Sequence, residues 1–162
     1  MAHRLGWTAG LTLLCAGAVA QAEPADQSFA EKAATGGMTE VELGKLAQKQ
    51  STTAEVKKFG KKMITDHSKG GTQLKALAKK KNMTLPSEMT AEQRALYDRL
   101  AKLSGAEFDQ AYMEAMQKDH DEDVAEFKKE ADSGRDPDLK AWAAKMLPTL
   151  QEHDEMAHHH QK

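Results

Sequence analysis

Along four stretches of the chain, apolar side chains recur at alternating steps of four and three residues. The first stretch reads Phe29, Ala33, Gly36, Glu40, Leu43, Ala47, and the second Val56, Gly60, Met63, His67, Gly70, Leu74, Leu77. The third carries Phe108, Tyr112, Met113, Met116, His120, Val124 and Phe127 on one broad face. The fourth runs Leu139, Ala143, Met146, Leu150, His153, Ala157. Steps of four and three keep one face of an α-helix turned toward a neighbour, so each stretch predicts a packed helix. The bounds follow from local chemistry. Helix 1 is expected over about Asp26 to Gln50, with Gly36-Gly37 permitting a bend or a close approach. Thr52 with Glu55 three residues on reads as a capping box for helix 2, which ends near Asn82. A shorter helix over Ala91 to Leu103 starts from Thr90 and Gln93. Helix 3 spans about Ala106 to Ala131. Asp136-Pro137 opens helix 4, and Pro148 is expected to bend it.

Four long amphipathic helices with one longer connection give an all-α fold: an up-down four-helix bundle with one extra short helix between helices 2 and 3. Composition agrees. Ala, Lys, Glu, Gln, Leu and Met dominate, and aromatics are only 5% of the 162 residues, which leaves little for a sheet.

The first 22 residues are of another kind. Arg4 precedes an apolar run from Leu11 to Ala20, and Ala20-Gln21-Ala22 has the small-x-small pattern of a signal-peptidase site. The run is too short for a membrane span, which needs roughly 20 apolar residues. Cys15 lies inside this run behind Leu14, which does not suit a lipidation site. The expected organisation is a cleaved signal at 1–22, a bundle domain at 23–157 and a His-rich tail at 158–162, in the periplasm or secreted. Cleavage removes the only cysteine, as suits an oxidising compartment, and leaves 22 of the 23 basic residues against 25 acidic ones. With no basic excess and no aromatic platform, nucleic acid is not an expected partner. A protein partner stays open.

Each of the four seams carries one titratable residue: Glu40, His67, His120 and His153. Antiparallel helices of similar length bring their middles to one level, so these four are expected in one layer. An unpaired buried polar group costs on the order of 2–7 kcal/mol, so four of them together call for mutual hydrogen bonds or for an ion. Imidazoles with one carboxylate suit zinc, iron, manganese or copper, and Met63 and Met116, one turn before His67 and His120, add soft sulfur nearby. The competing expectation is a hydrogen-bonded layer that only sets helix register. Asp66, Asp119, Asp123 and Glu152 flank the histidines as orienting acceptors or as solvent-facing charges. A di-iron centre would need Glu-x-x-His on two helices, but Ile64, Gln117 and Leu150 occupy the positions three before the seam histidines. No Ser-His-Asp set, Cys-His pair or phosphate-cradling glycine loop appears, so the reading leans away from an enzyme.

Four segments carry a family resemblance: Phe29 to Glu40 (FAEKAATGGMTE), Val56 to His67 (VKKFGKKMITDH), Phe108 to Tyr112 (FDQAY) and Leu147 to His153 (LPTLQEH). Together they resemble the exported bacterial family called domain of unknown function 4142. The resemblance implies a ferritin-like four-helix fold, an envelope location, and Asp66-His67, His120 and His153 as family positions. Members are often labelled outer-membrane proteins, a label unsupported here for want of amphipathic strands.

Overall fold

The computed structural model of the protein describes residues 24–160, and the signal-peptide reading of residues 1–22 falls outside them. Among the described residues the chain is all helix: α1 Pro24–Gln50, α2 Ala54–Lys81, α3 Ala91–Leu100, α4 Gly105–Ser133 and α5 Pro137–His159. The long helices pack as two hairpins, α1 with α2 and α4 with α5. Further contacts of α1 with α4 and of α2 with α5 close the arrangement, and the short α3 leans on α1 and α4.

Most helix ends follow the local signals. Thr90 and Gln93 form a full capping box at α3, and Asp136 accepts from the backbone N–H groups of Asp138 and Leu139 ahead of Pro137. The start of α2 differs. Its cap is Thr53, which makes no side-chain capping bond, and Ser51 Oγ instead accepts from the Thr53 N–H. The Thr52–Glu55 box is therefore not formed. Helix α5 continues unbroken through Pro148, and it runs on to His159, so the first two residues of the histidine run are helical.

The closest helix approach is also not where Gly36-Gly37 suggested. A Cβ on Gly36 would meet nothing, whereas one on Gly44 would lie 2.6 Å from the Gly60 carbonyl oxygen and one on Gly60 2.6 Å from Ala47 Cβ. Glycine at 44 and 60 is what lets α1 and α2 touch backbone to backbone.

The apolar interior has two parts. One gathers Leu43, Val56, Phe59, Met63, Phe108, Tyr112, Met116 and Ala157; the other gathers Phe29, Leu74, Phe127, Leu139, Trp142 and Leu150. On every long helix the switch from one part to the other falls at the seam residue singled out above: Glu40, His67, His120 or His153. All four are buried, so a polar layer crosses the middle of the core.

Another buried carboxyl lies toward the C-terminal end of α4. Glu130 is 6% exposed, and its Oε1 has no hydrogen-bond partner. Burial, with the negative charges of Asp26 and Asp136, pushes its pKa from 4.5 up to about 7. A carboxyl that holds its proton more tightly when folded stabilises fully below pH 4.5, and that contribution is lost as pH rises through about 7. Glu130→Gln keeps the neutral shape at all pH values. The variant should melt above the parent at pH 8, and the two melting curves should converge below pH 4.5; a constant offset across this range would contradict the assignment.

Candidate metal centre

The polar layer is built by one residue from each long helix. Glu40 comes from α1, His67 from α2, His120 from α4 and His153 from α5. Glu40, His120 and His153 are 0% exposed and His67 6%. The structure therefore brings together all four residues expected in one layer.

Each imidazole has an outer and an inner nitrogen. The outer nitrogens all face oxygen. His120 Nδ1 donates to the Met116 carbonyl oxygen at 2.9 Å, and His153 Nε2 donates to Asp66 Oδ2 at 3.0 Å. His67 Nδ1 lies 2.7 Å from Glu40 Oε2. Carbonyl and carboxylate oxygens only accept, so an outer nitrogen that bonds them must carry the proton. The inner nitrogens of neutral imidazoles are then left as bare lone pairs.

Those inner nitrogens converge. His153 Nδ1 lies 3.3 Å from His67 Nε2 and 3.2 Å from His120 Nε2. One ring nitrogen of each histidine lies within 4.8 Å of one from each of the others. On another side of His120 Nε2, at 3.2 Å, sits Glu40 Oε1. Neither Glu40 oxygen receives a well-directed hydrogen bond, despite the short approach to His67. When His67 is charged, its inner N–H serves His153 Nδ1, and His120 Nε2 is left facing acceptors. Phe59 packs edge-on against the rings of His120 and His153, with centroids 6.2 and 6.4 Å away, and closes one side with hydrocarbon.

The electrostatics follow the same geometry. Burial disfavours the charged form of His120 and holds its pKa below the ordinary imidazole value. Burial also drives His153 down to about 4, against the pull of Asp66. His67 goes the other way: burial lowers its pKa, but the Glu40 carboxylate beside it outweighs burial and raises it. Burial alone would raise Glu40, yet the charge of His67 beside it outweighs burial and holds it down at about 2. Without a metal, the layer is a His67–Glu40 ion pair beside two neutral imidazoles.

Around the layer, Asp66 is itself held by Lys62, 3.2 Å away, and Lys62 also meets Glu152 at 3.1 Å. Asp66 is thus an orienting acceptor for His153, and Glu152 steadies it at one remove. Lys62 is not among the residues the sequence singled out; its spacing of four from Asp66 was the available signal. Asp119 and Asp123 touch the site through charge. Burial and the Glu40 charge push Asp119 up to about 7, and the same causes raise Asp123 well above the carboxylate range. Asp123 also lines a small cavity of about 20 Å³ beside Glu40 and His67. On the outer side, His67 forms part of the wall of a groove of about 680 Å³ between α1 and α2, with Gly37, Val41, Gly71 and Leu74.

Known structures share this fold. A DUF305 fragment from Deinococcus radiodurans superposes with a TM-score of 0.75 at 14% identity, covering 86% of this chain and 96% of that one. A DUF305 protein from Streptomyces coelicolor gives 0.70 at 15% identity, covering 82% and 88%. At such identities the likeness shows the fold alone. No curated protein matches the chain. The pattern of the family Domain of unknown function (DUF4142) matches residues 14–159, and the chain belongs to that family.

Proposed function

We propose that the polar layer is a mononuclear metal site and that the protein binds a divalent or copper-type ion in the bacterial envelope, for metal buffering or protection against stress. The observation that carries this reading is the convergence of three ring nitrogens. The inner nitrogens of His67, His120 and His153 meet with at most one proton among them, on His67, and that proton cannot serve both of the others. A tetrahedral ion with nitrogen ligands at about 2.0–2.1 Å sets them roughly 3.3–3.4 Å apart. The separations of 3.2 and 3.3 Å match that edge. The outer nitrogens meet a carboxylate, a carbonyl and a carboxylate, the partners that fix metal-bound imidazoles in place.

Glu40 has two roles in this reading. Its Oε2 steadies His67, and its Oε1 lies beside His120 Nε2 but outside the close group of three nitrogens, so it becomes the fourth ligand by a turn of its side chain. The donor set suits zinc, iron, manganese or copper. Met63 and Met116 are fully buried in the core beside the layer, which leaves sulfur as packing unless the ion is copper. A ferritin-like description fits the same picture: four helices each contribute one polar side chain to a common level. The groove that reaches His67 supplies a route from solvent.

The test is metal titration of the tag-free protein. About one tightly bound ion per chain is expected, absent from a His120→Leu/His153→Leu variant that stays helical by circular dichroism. Retention of the tight ion in that variant would leave the layer as a hydrogen-bonded device that only fixes helix register.

A further inference from the structure

A second group of ligand-type side chains lies on the surface, away from the buried layer. Asp121 projects from α4, and Asp154 and His158 lie four residues apart on α5. His158 Nε2 is 3.2 Å from Asp121 Oδ1 and 3.4 Å from Asp154 Oδ1. The three side chains are 53%, 23% and 44% exposed in the order Asp121, Asp154, His158, so the group opens to water.

A proton network leaves this group incomplete. An imidazole nitrogen has a single N–H, which serves one oxygen at a time. Asp154 Oδ1 is buried and has no directed hydrogen bond. The adjacent Lys118 is engaged by Glu122. Two carboxylates thus point at one imidazole nitrogen.

The ring is also held from behind. The Gln117 side-chain amide lies 2.9 Å from His158 Nδ1. The atom presented is the amide nitrogen, which donates to Nδ1, so the ring carries its one proton on Nε2, toward the two carboxylates, and a cation bound there would displace it.

We propose that Asp121, Asp154 and His158 form a second, solvent-open site for a divalent cation, independent of the buried histidine layer. Two oxygens and one nitrogen suit zinc or manganese, with water completing the coordination. Because the ligands are exposed and carry no enclosing shell, this site binds more weakly than a buried one. His153 and Asp154 are neighbours in sequence, so the outer site flanks the inner one along α5.

The experiment is titration of Zn²⁺ into the tag-free protein, followed by calorimetry, with the variants Asp121→Asn/Asp154→Asn and His159→Gln/His160→Gln alongside. A weaker binding class is expected in the parent, weakened at least tenfold by the aspartate substitutions and unchanged by the tail substitutions. Three results would each overturn the proposal: no weaker class in the parent, a weaker class that survives the aspartate substitutions, or one lost with His159 and His160, which would assign it to the tail. The weaker class is read separately from the tight one, so failure of either site leaves the other visible.

Discussion

Replacing His67 by leucine is expected to destabilise the metal-free protein by about 3–5 kcal/mol at neutral pH, the range for removing one partner of a buried ion pair. That is a large part of the roughly 5–15 kcal/mol that holds a typical domain folded. The cause is the residue left behind. Glu40 is 0% exposed, and its pKa sits near 2 because the charge of His67 outweighs the burial that would raise it. With His67 gone, the carboxylate must lose water with no cation beside it, or take up a proton. A Glu40→Gln/His67→Leu double variant removes the charge as well, and it should recover most of the loss. Urea unfolding with a chelator present would show this as a shift in midpoint without a change in slope. If the two single effects simply add in the double variant, Glu40 and His67 are not energetically coupled.

Binding of the ion to the folded state should stabilise it by about 4 kcal/mol when free metal exceeds its dissociation constant a thousandfold. For a chain of this size that raises the melting temperature by roughly 8–16 °C, at about 2–4 °C per kcal/mol. The shift should vanish with a chelator and in His120→Leu/His153→Leu. Acid should weaken it in a defined way. His120 and His153 are already neutral, so the proton that an ion displaces belongs to His67, whose pKa is raised. Affinity should therefore climb about tenfold per pH unit up to that raised pKa and then level off. A melting temperature indifferent to metal would remove the ion from the account.

Much of this centre was legible in the sequence because helix periodicity fixes which side of a helix a residue faces. Glu40, His67, His120 and His153 fell on the seams that apolar residues defined, and equal helix lengths then placed them at one level. Features that depend on rotation between neighbouring helices were not legible. Nothing in the spacing says that Asp66 faces His153 while Glu152, on the same helix as His153, reaches Lys62. The Met116 carbonyl that orients His120 is backbone and leaves no mark in residue type. The group of Asp121, Asp154 and His158 joins two helices, and only its α5 pair has a telling spacing. At the start of α2, Ser51 satisfies the Thr53 N–H, so the expected pairing of Thr52 with Glu55 never forms.

The most direct test of the central claim is imidazole ¹⁵N NMR of the tag-free protein before and after one equivalent of zinc. The account predicts that His67 and His120 become ligands through Nε2 with the proton on Nδ1, and His153 through Nδ1 with the proton on Nε2. Imidazole signals from these three residues that stay unchanged on adding zinc would contradict it.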